Sequence, residues 1–185
     1  FICFLDSDDI FYRNKLSKIY NYCKMFDFCT HSVHQVNYLL NKKSSYLNVP
    51  FKKANASSYL LYGFPFATSS VTIRSDFLSC VGGFDESPSM VACEDFDLWY
   101  RCICQTNNSY FDREILGSIE TGQPSESSRN MSIPLTAVLN KHRSSLSPIY
   151  TKRYEAVCKF YDLKHKIINF ISLIKRITPP DIIFI

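Results

Sequence analysis

The sequence predicts an α/β fold, and three observations support this prediction. An apolar segment, FICFL, opens the chain and runs directly into the acidic segment DSDD at positions 6–9. A segment with helical spacing and then an alternating segment rich in β-formers follow, so that strand, helix and strand come in succession. The chain has 185 residues, of which 46% are hydrophobic, and is therefore long enough to bury one substantial core.

The first helix is predicted over NKLSKIYNYCKMF, with Asn14 as its N-cap. Its apolar residues recur at helical spacing and predict a single buried face, formed by Leu16, Ile19, Tyr20, Cys23 and Phe26. The next segment, FCTHSVHQVNYLL, alternates and predicts a strand, whereas the polar residues 41–58 predict a loop with at most one short strand. His31 and His34 could be metal ligands, but the alternation favours ordinary strand histidines.

A second ordered block begins at TSSVTIR, which predicts a strand. A short helix follows over SDFLSCV and ends at Gly82 and Gly83, since glycine readily adopts the left-handed conformation found at helix C-termini. The segment CEDFDLWYRCI predicts a helix with one buried face, formed by Phe96, Trp99, Tyr100 and Ile103. NSYFDREILGSI then predicts two strands, and TGQPSESSRN predicts a loop.

Beyond residue 130 the pattern is helical, which predicts a domain over residues 1–130 and a helical extension over residues 131–185. Ser132 and Ser147 are the predicted N-caps, and Pro148 occupies the first helical position after Ser147. The apolar run IINFISLI is far shorter than the roughly 20 residues needed to cross a bilayer. Basic residues flank this run, which is typical either of a helix lying at a membrane surface or of a bundle helix covering the core.

The net charge of +4 conceals an uneven distribution. Residues 141–176 hold nine Lys or Arg residues against two acidic residues, a charge of +7, so the rest of the chain carries −3. The basic part suits contact with an anionic surface, and no nucleic-acid partner is expected. The eight cysteines show neither a CxxC pair nor a zinc-ligand spacing, which favours reduced core thiols in a cytosolic protein.

The segment DSDD places three carboxylates at the end of an apolar strand, where open α/β sheets place their ligands. Grouped like charges repel one another unless a cation or a helix N-terminus compensates. Asp6 and Asp8, with Ser7 between them, provide hard oxygen ligands that suit Mg²⁺ or Mn²⁺ shared with phosphate oxygens. The alternative is a turn in which Asp8 or Asp9 caps the next helix, which accounts for one carboxylate and leaves two unexplained.

The second acidic motif, EDFD, begins at Glu94 and falls in the first turn of a predicted helix. Acidic residues there favour the helix dipole, and Asp97 and Arg101 are four residues apart, so surface electrostatics could explain the motif. An Asp95 held at a helix N-terminus would stay ionised at neutral pH, which a general base needs before it can accept a hydroxyl proton. Taken alone, these residues leave both interpretations open.

The motifs together resemble the family-2 glycosyltransferases of the GT-A fold. In that family a strand ending FLDSDD precedes a helix similar to NKLSK, and a strand similar to SSVTIR leads through VGGFDE to EDFDLWYR. All of these segments stand here in the same order, within residues 1–130. The serial match of DSDD, VGGFDE and EDFDLW is more specific than a single DxD motif. The first strands of that fold would precede Phe1, so we expect the chain to be a fragment of a longer protein.

The resemblance implies transfer of a sugar from a nucleotide-sugar donor to an acceptor hydroxyl, with inversion at the anomeric carbon. Asp8 would bind a divalent metal, Mn²⁺ or Mg²⁺, on the donor diphosphate. Asp6 would contact the metal or the donor ribose, and Ser7 lies between these two donor-binding residues. Asp95 would be the general base, with Glu94 as its helper or as the alternative base.

On the acceptor side, the resemblance implies that Trp99 and Arg101 shape the site or support the helix. The acceptor would be a glycan or a lipid-linked glycan in cell-surface polysaccharide synthesis. The enzyme would be cytoplasmic and could contact anionic lipid at the inner face of the membrane. One departure concerns the diphosphate, where many relatives have Tyr-Arg or His after the last core strand. Glu120 stands in that region here, and Arg129 is the remaining candidate for a phosphate contact.

Two other functions remain as alternatives. The chain could be a non-catalytic, glycosyltransferase-like subunit that binds a sugar nucleotide or a glycan, although a decayed enzyme would be expected to lose Asp8 or Asp95 and both are present. It could also be a phosphatase similar to the haloacid dehalogenases, with Asp6 as nucleophile. That family has Thr or Val two residues after its second Asp, whereas Ile10 stands here, and its downstream Lys and Asp pair has no convincing counterpart.

Overall fold

The computed structural model describes residues 1–46, 48–121 and 131–177, with side chains as far as residue 169. The described fold is mixed α/β, as the sequence predicts, and contains one mixed sheet. The chain divides into two compact units. The first consists of Phe1–Glu86 and Cys93–Pro124, and the second of Ser87–Ala92 and Ser125–Ile185.

The sheet belongs to the first unit and contains six described strands. They are β1 (Ile2–Cys3), β2 (Ile10–Phe11), β3 (Phe28–Asn37), β4 (Lys42–Tyr46), β5 (Thr72–Ile73) and β6 (Ser109–Glu120). Their order across the sheet is β1-β5-β3-β6-β2, and β4 pairs with the second half of β3. β3 and β6 are parallel, whereas the other pairs are antiparallel.

This topology brings the carboxyl ends of β1, β3 and β6 to one edge of the sheet. β1 and β3 both run antiparallel to β5, so β1 is parallel to β3 and therefore to β6. The DSDD segment follows β1 and continues into β2, which runs back along β6 with Ile10 opposite Ser118. β1 and β2 are the first and last strands in the order across the sheet. The acidic segment that joins them therefore crosses the sheet along its carboxyl edge.

All of the segment NSYFDREILGSI after its first residue lies in one strand, β6, so the prediction of two strands is wrong. β6 stays paired with β3 through register shifts between His31 and Ser32 and between Ser32 and His34. Such an irregularity bends a strand without ending it. β3 is a strand as predicted, but residues 28–33 are buried without alternation, because both faces of the sheet are covered there. Phe28 packs against Phe51 and Phe66, and Cys29 packs with Ile19 of the helix that precedes β3.

Helix α1 (Lys15–Cys23) follows β2 and packs against the sheet. Ile19 and Cys23 are buried as predicted, but Leu16 and Tyr20 are 59% and 52% exposed. Lys15 occupies the buried row in place of Leu16, because its ammonium donates a hydrogen bond to a backbone carbonyl. The buried row therefore runs from Lys15 at intervals of four residues, and the predicted face is wrong at Leu16 and Tyr20.

Three further local structures differ from the prediction. Helix α2 (Ala56–Tyr62) forms within and beyond the predicted loop, and its inner side is buried. β5 is only two residues long, because Thr68–Ser70 form a 3₁₀ turn before it. Asn14 stands at the N-cap position of α1 without a side-chain capping bond, and its amide nitrogen donates to the Glu114 carboxylate.

Helix α4 (Glu94–Gln105) is anchored by Trp99, whose side chain is 2% exposed. The indole packs edgewise against four rings, with centroid separations of 4.9 Å to Phe4, 5.9 Å to Phe28 and 6.4 Å to both Phe66 and Phe84. Aromatic pairs of this kind contribute about 0.5–1.5 kcal/mol each beyond the area they bury. Phe4 belongs to the segment that leads into DSDD, so this packing ties the position of α4 to that of the acidic segment.

The second unit contains helices α5 (Ser132–His142) and α6 (Pro148–Ile177) and a short 3₁₀ turn at Pro88–Met90. α5 and α6 pack against each other, with Val138 on α5 and Tyr154 on α6 buried to 0% and 1% exposure. In the part of the chain that the structure describes, no helix combines the length and the apolar character required to cross a membrane.

Candidate functional site

The two acidic motifs come together at the carboxyl edge of the sheet, although more than 80 residues separate them in the sequence. The pKa of Asp6 is raised from 3.8 to about 6, first because the carboxyl is partly desolvated. The negative charges of Asp9, Asp95, Asp8 and Glu94 raise it further, in that order. Carboxylates from DSDD and from EDFD thus lie within electrostatic range of one another.

A turn rich in hydroxyl side chains, the hydroxyl turn Thr68–Ser70, holds the acidic segment. The Asp6 backbone N–H donates to the Ser69 hydroxyl oxygen at 2.9 Å. The Ser69 hydroxyl also bonds the Asp9 carboxylate and lowers the pKa of Asp9, against the larger desolvation that raises it. One serine therefore contacts both ends of the DSDD segment.

The same turn orients the Asp95 carboxylate. The Thr68 hydroxyl donates to Asp95 Oδ2 at 2.9 Å, and the Phe96 backbone N–H donates to Asp95 Oδ1 at 2.6 Å. The Trp99 indole N–H reaches the Thr68 oxygen at 3.5 Å. Desolvation raises the pKa of Asp95, and the hydrogen bonds from Thr68 and Phe96 oppose the rise. Asp95 is thus a fixed carboxylate with increased basicity, as proton acceptance requires.

Glu94 differs from Asp95 in its bonding. Its Oε2 atom is buried and has no hydrogen-bond partner among the described residues. A buried, unsatisfied carboxylate oxygen is costly unless it is protonated or meets a ligand. Glu94 therefore has an oxygen free to accept a hydrogen bond from a bound hydroxyl group.

Asp9 has a structural task that separates it from its neighbours in DSDD. Its Oδ1 atom accepts a hydrogen bond of 2.9 Å from the Glu120 backbone N–H at the end of β6. Helix α1 starts only at Lys15 and has Asn14 at its cap position, so the alternative in which Asp8 or Asp9 caps the helix is wrong. The exposed side chains of Asp6, Ser7 and Asp8 are the members of the segment that face solvent.

Lys15 supplies a buried positive charge next to this turn. Its ammonium is 0% exposed, donates to the Ser69 backbone oxygen at 2.9 Å and lies 3.3 Å from the centroid of the Phe11 ring. Burial lowers the pKa of Lys15 to about 8. None of the ion pairs formed between described residues involves the carboxylates of DSDD or the adjacent pair Glu94 and Asp95. Lys15 stabilises the backbone that presents them and does not neutralise them by a direct contact.

Arg101 joins α4 to the end of helix α3 (Ser75–Val81). Its guanidinium bonds the buried Asp97 carboxylate at 2.8 Å and donates to the carbonyls of Val81 at 2.7 Å and Gly83 at 2.5 Å. The predicted pair of Asp97 with Arg101 is present, but it is buried and not a surface pair. The prediction that Trp99 and Arg101 lie on the acceptor side remains a prediction, and their contacts support the helix.

The strand histidines make contacts within the fold. His31 is fully buried, and burial, followed by the nearby charge of Lys15, lowers its pKa to about 4, so the imidazole is neutral. Its Nδ1 atom lies 2.8 Å from the Ser32 carbonyl oxygen, to which it donates in the matching tautomer. His34 shares a hydrogen bond of 2.6 Å with the Tyr12 hydroxyl.

A metal site of protein ligands alone is not found in the described residues, where no group of three or more His, Cys, Asp or Glu is arranged to hold an ion. Asp6 and Asp8 nevertheless fit a divalent cation, since Mg²⁺ is commonly held by one or two carboxylates together with phosphates and water. A cation would also relieve the repulsion that raises the pKa of Asp6. Arg129, the predicted phosphate contact, lies outside the described residues.

Three residues of the site are absent from the sequence-based prediction. Thr68 and Ser69 lie in a segment that predicts a strand, although consecutive hydroxyl residues also favour turns through bonds to nearby backbone. Lys15 falls on the predicted polar side of α1. Its spacing of four residues from Ile19 is the available signal, but a lysine at that position is normally exposed.

Comparison with protein-family models and with curated proteins identifies no relative of this chain. No protein-family model matches the chain, and no curated protein matches it. The case for a function therefore rests on the motifs and on the geometry of the site.

Proposed function

We propose that the chain is part of an inverting glycosyltransferase of the GT-A fold, which moves a sugar from a nucleotide-diphosphate donor to an acceptor hydroxyl. The observation that carries this proposal is that one turn holds both acidic motifs at the carboxyl edge of the sheet, through the bond of Ser69 to the Asp6 backbone and that of Thr68 to the Asp95 carboxylate. Open α/β sheets bind ligands at this edge. If the EDFD motif served only surface electrostatics, its carboxylates would have no reason to lie near those of DSDD.

In the proposed enzyme, Asp8 and Asp6 hold a divalent cation, and Ser7 lies between them on the donor side. When bound, the cation neutralises the charge that develops on the departing nucleoside diphosphate. Asp9 does not share this work, because its carboxylate is bonded to the Glu120 backbone. Its contact and that of Ser69 fix the backbone that carries the two ligands, so binding requires little rearrangement of the chain.

Asp95 acts as the general base that accepts the proton of the acceptor hydroxyl as its oxygen attacks the anomeric carbon. Thr68 and the helix backbone hold one orientation of the carboxylate, and partial desolvation raises its pKa toward the working pH. Glu94 Oε2 can accept a second hydrogen bond from the acceptor or take the role of base. The negative site disfavours an anionic acceptor group near the base and suits a neutral hydroxyl of a glycan or lipid-linked glycan.

The test is nucleotide-sugar turnover by the natural full-length protein, with a panel of donors, in Mn²⁺ and in chelator. We expect metal-dependent turnover that falls by about 100-fold or more in Asp95→Asn, the range typical of a lost general base. Turnover should also fall in Asp8→Asn, because that variant loses a proposed metal ligand. The two variants should respond differently to metal. Raised Mn²⁺ concentrations should restore part of the activity of Asp8→Asn, which binds the metal more weakly, and none of that of Asp95→Asn, which lacks the base.

A matched control is Asp76→Asn, which removes an exposed carboxylate in α3. α3 follows the end of β5 that points away from the carboxyl edge where the acidic motifs lie. Turnover by this variant should equal that of the wild type. Donor binding without turnover in any wild-type condition would contradict the enzyme and support a glycosyltransferase-like binding subunit. Release of phosphate from phosphomonoesters through a covalent intermediate on Asp6 would instead support the phosphatase.

A further inference from the structure

Helix α6 presents two opposite faces. One packs on α5 and buries Tyr154 and Cys158 to 1% and 8% exposure. The other carries large apolar side chains that remain exposed, at 63% for Phe160, 57% for Leu163 and 49% for Ile167. Ile149, at 56% exposure, continues this row toward the start of the helix. The spacing of three and four residues places them in one stripe along the helix.

Basic residues border this apolar stripe on both sides. Lys152, Lys159 and Lys166 recur every seven residues and form one border, about 80–120° around the helix from Phe160. Arg153 and Lys164 form the other border, and all five side chains are exposed. These borders carry five basic side chains on the described part of the helix, of which Lys166 is paired with Asp162.

The two acidic residues of α6 lie away from the stripe and already have cationic partners. Glu155 bonds Arg143 at 2.8 Å, and Asp162 bonds Lys166 at 2.7 Å. The outward face is therefore apolar at its centre and positive at its edges. This arrangement complements a surface that is apolar below and negative above.

We propose that this face of α6 binds the surface of a bilayer containing anionic phospholipid. Phe160, Leu163 and Ile167 would enter the boundary between headgroups and acyl chains, while the lysine stems extend along them and place their ammonium groups among lipid phosphates. The helix would lie in the plane of the membrane, consistent with the lack of a membrane-spanning helix among the described residues. The proposal is independent of the catalytic assignment.

The charge pattern also argues against the competing occupant, a second copy of this chain. Pairing two stripes would bring the lysine borders of both copies together, whichever way the helices ran, and like charges at these flanking positions disfavour association. An anionic bilayer meets both the apolar stripe and its borders. Each lysine near such a surface contributes about 1 kcal/mol, which corresponds to roughly a fivefold change in partitioning.

The proposal is tested by flotation of the full chain with vesicles of phosphatidylcholine alone or mixed with phosphatidylglycerol. We expect binding to the mixed vesicles at low salt and little binding to the neutral ones, with a strong decrease at high salt. Leu163→Ser should weaken partitioning about tenfold or more. Lys152→Ser combined with Lys159→Ser should weaken it roughly 25-fold.

Two controls replace exposed residues of the first unit. Leu39→Ser matches the loss of an exposed leucine, and Lys42→Ser combined with Lys43→Ser matches the loss of two lysines on β4. These variants should bind as the wild type does. Failure of the wild type to float with anionic vesicles at low salt would overturn the proposal. A dimer in solution that Leu163→Ser disrupts, without vesicle binding, would assign the face to a second copy instead.

Discussion

Replacing Asp6 with Asn should stabilise the protein while it removes a proposed metal ligand. The reason is that folding brings Asp6 into a partly desolvated position beside four other carboxylates. Asparagine has a similar shape and carries no charge, so the repulsion disappears. The Asp6 side chain makes no ion pair with a described residue, and the Ser69 hydroxyl is bonded to the Asp6 backbone, which the substitution retains.

The magnitude follows from the pKa. A rise from 3.8 to about 6 corresponds to about 3 kcal/mol of destabilisation at neutral pH if the charge is fully shielded from solvent. The Asp6 side chain is exposed, however, and solvent screening reduces such an energy substantially. We therefore expect Asp6→Asn to raise the free energy of unfolding by about 1 kcal/mol at pH 7. For a chain of this size, that gain raises the melting temperature by about 2–4 °C.

The pH dependence has a definite sign. The native Asp6 carboxyl binds its proton more tightly than the unfolded one, so native wild type gains stability from this group as pH falls from about 6 toward 3.8. The advantage of Asp6→Asn should thus be complete above pH 6 and absent below pH 3.8. Addition of Mn²⁺ at pH 7 should stabilise the wild type more than the variant, because a bound cation favours the ionised carboxylate.

The assay is urea unfolding in chelator at pH 7 and at pH 4, repeated at pH 7 with Mn²⁺. Asp76→Asn provides a control of opposite sign, because Arg74 lowers the pKa of Asp76 and its loss removes a favourable contact. The reasoning is refuted if Asp6→Asn unfolds at lower urea than the wild type at pH 7, or if its advantage is the same at both pH values.

Three further predictions concern the supports of the site. Thr68→Val should lower the free energy of unfolding by about 1–2 kcal/mol, because a buried hydrogen bond is lost. It should also move the acidic limb of the pH–rate profile to higher pH, because the lost bond lowers the pKa of Asp95 and the base works only when ionised; an unchanged profile contradicts this. Arg101→Leu should cost about 3–5 kcal/mol in urea unfolding by leaving the Asp97 charge buried, and the double variant with Asp97→Leu should recover much of that loss. Gly117→Ala should separate β2 from β6, because the added Cβ atom would lie 2.8 Å from the backbone carbonyl oxygen of Ile10 in β2. Hydrogen exchange of the β2 amides should become faster, and an unchanged exchange rate would rule out the clash.

The order of strands and helices could be predicted where the periodicity is strong. The apolar strand before DSDD, the strand that became β3 and the helix over EDFDLW lie where the pattern places them. β6 could not be predicted as one strand, because its polar interior residues suggest a turn, whereas its pairing with β3 continues through register shifts. Such pairing is a tertiary effect that a local pattern does not contain.

The carboxylates of the candidate site could be predicted from the sequence, whereas the residues that hold them in place could not. The carboxylates stand out in the sequence because grouped charges are costly without a ligand. Thr68 and Ser69 do not stand out, since their roles depend on hydrogen bonds to residues far away in the sequence. Lys15 is hidden for another reason, because hydrophobic periodicity treats lysine as a surface residue, while its hydrogen bond to the Ser69 carbonyl allows burial.

The hydroxyl turn has a consequence for how such a protein can change over generations. In the proposed enzyme, Ser69 holds the donor-side carboxylates and Thr68 holds the base, so two adjacent residues set the separation between the two halves of the reaction. One inserted residue between them would displace one half relative to the other by up to about 3.8 Å, the length of a peptide unit, and would end catalysis. Surface loops tolerate such insertions, and new sugars or acceptors can be accommodated there. Variation in length should therefore accumulate outside this turn, and the turn itself should keep a constant length.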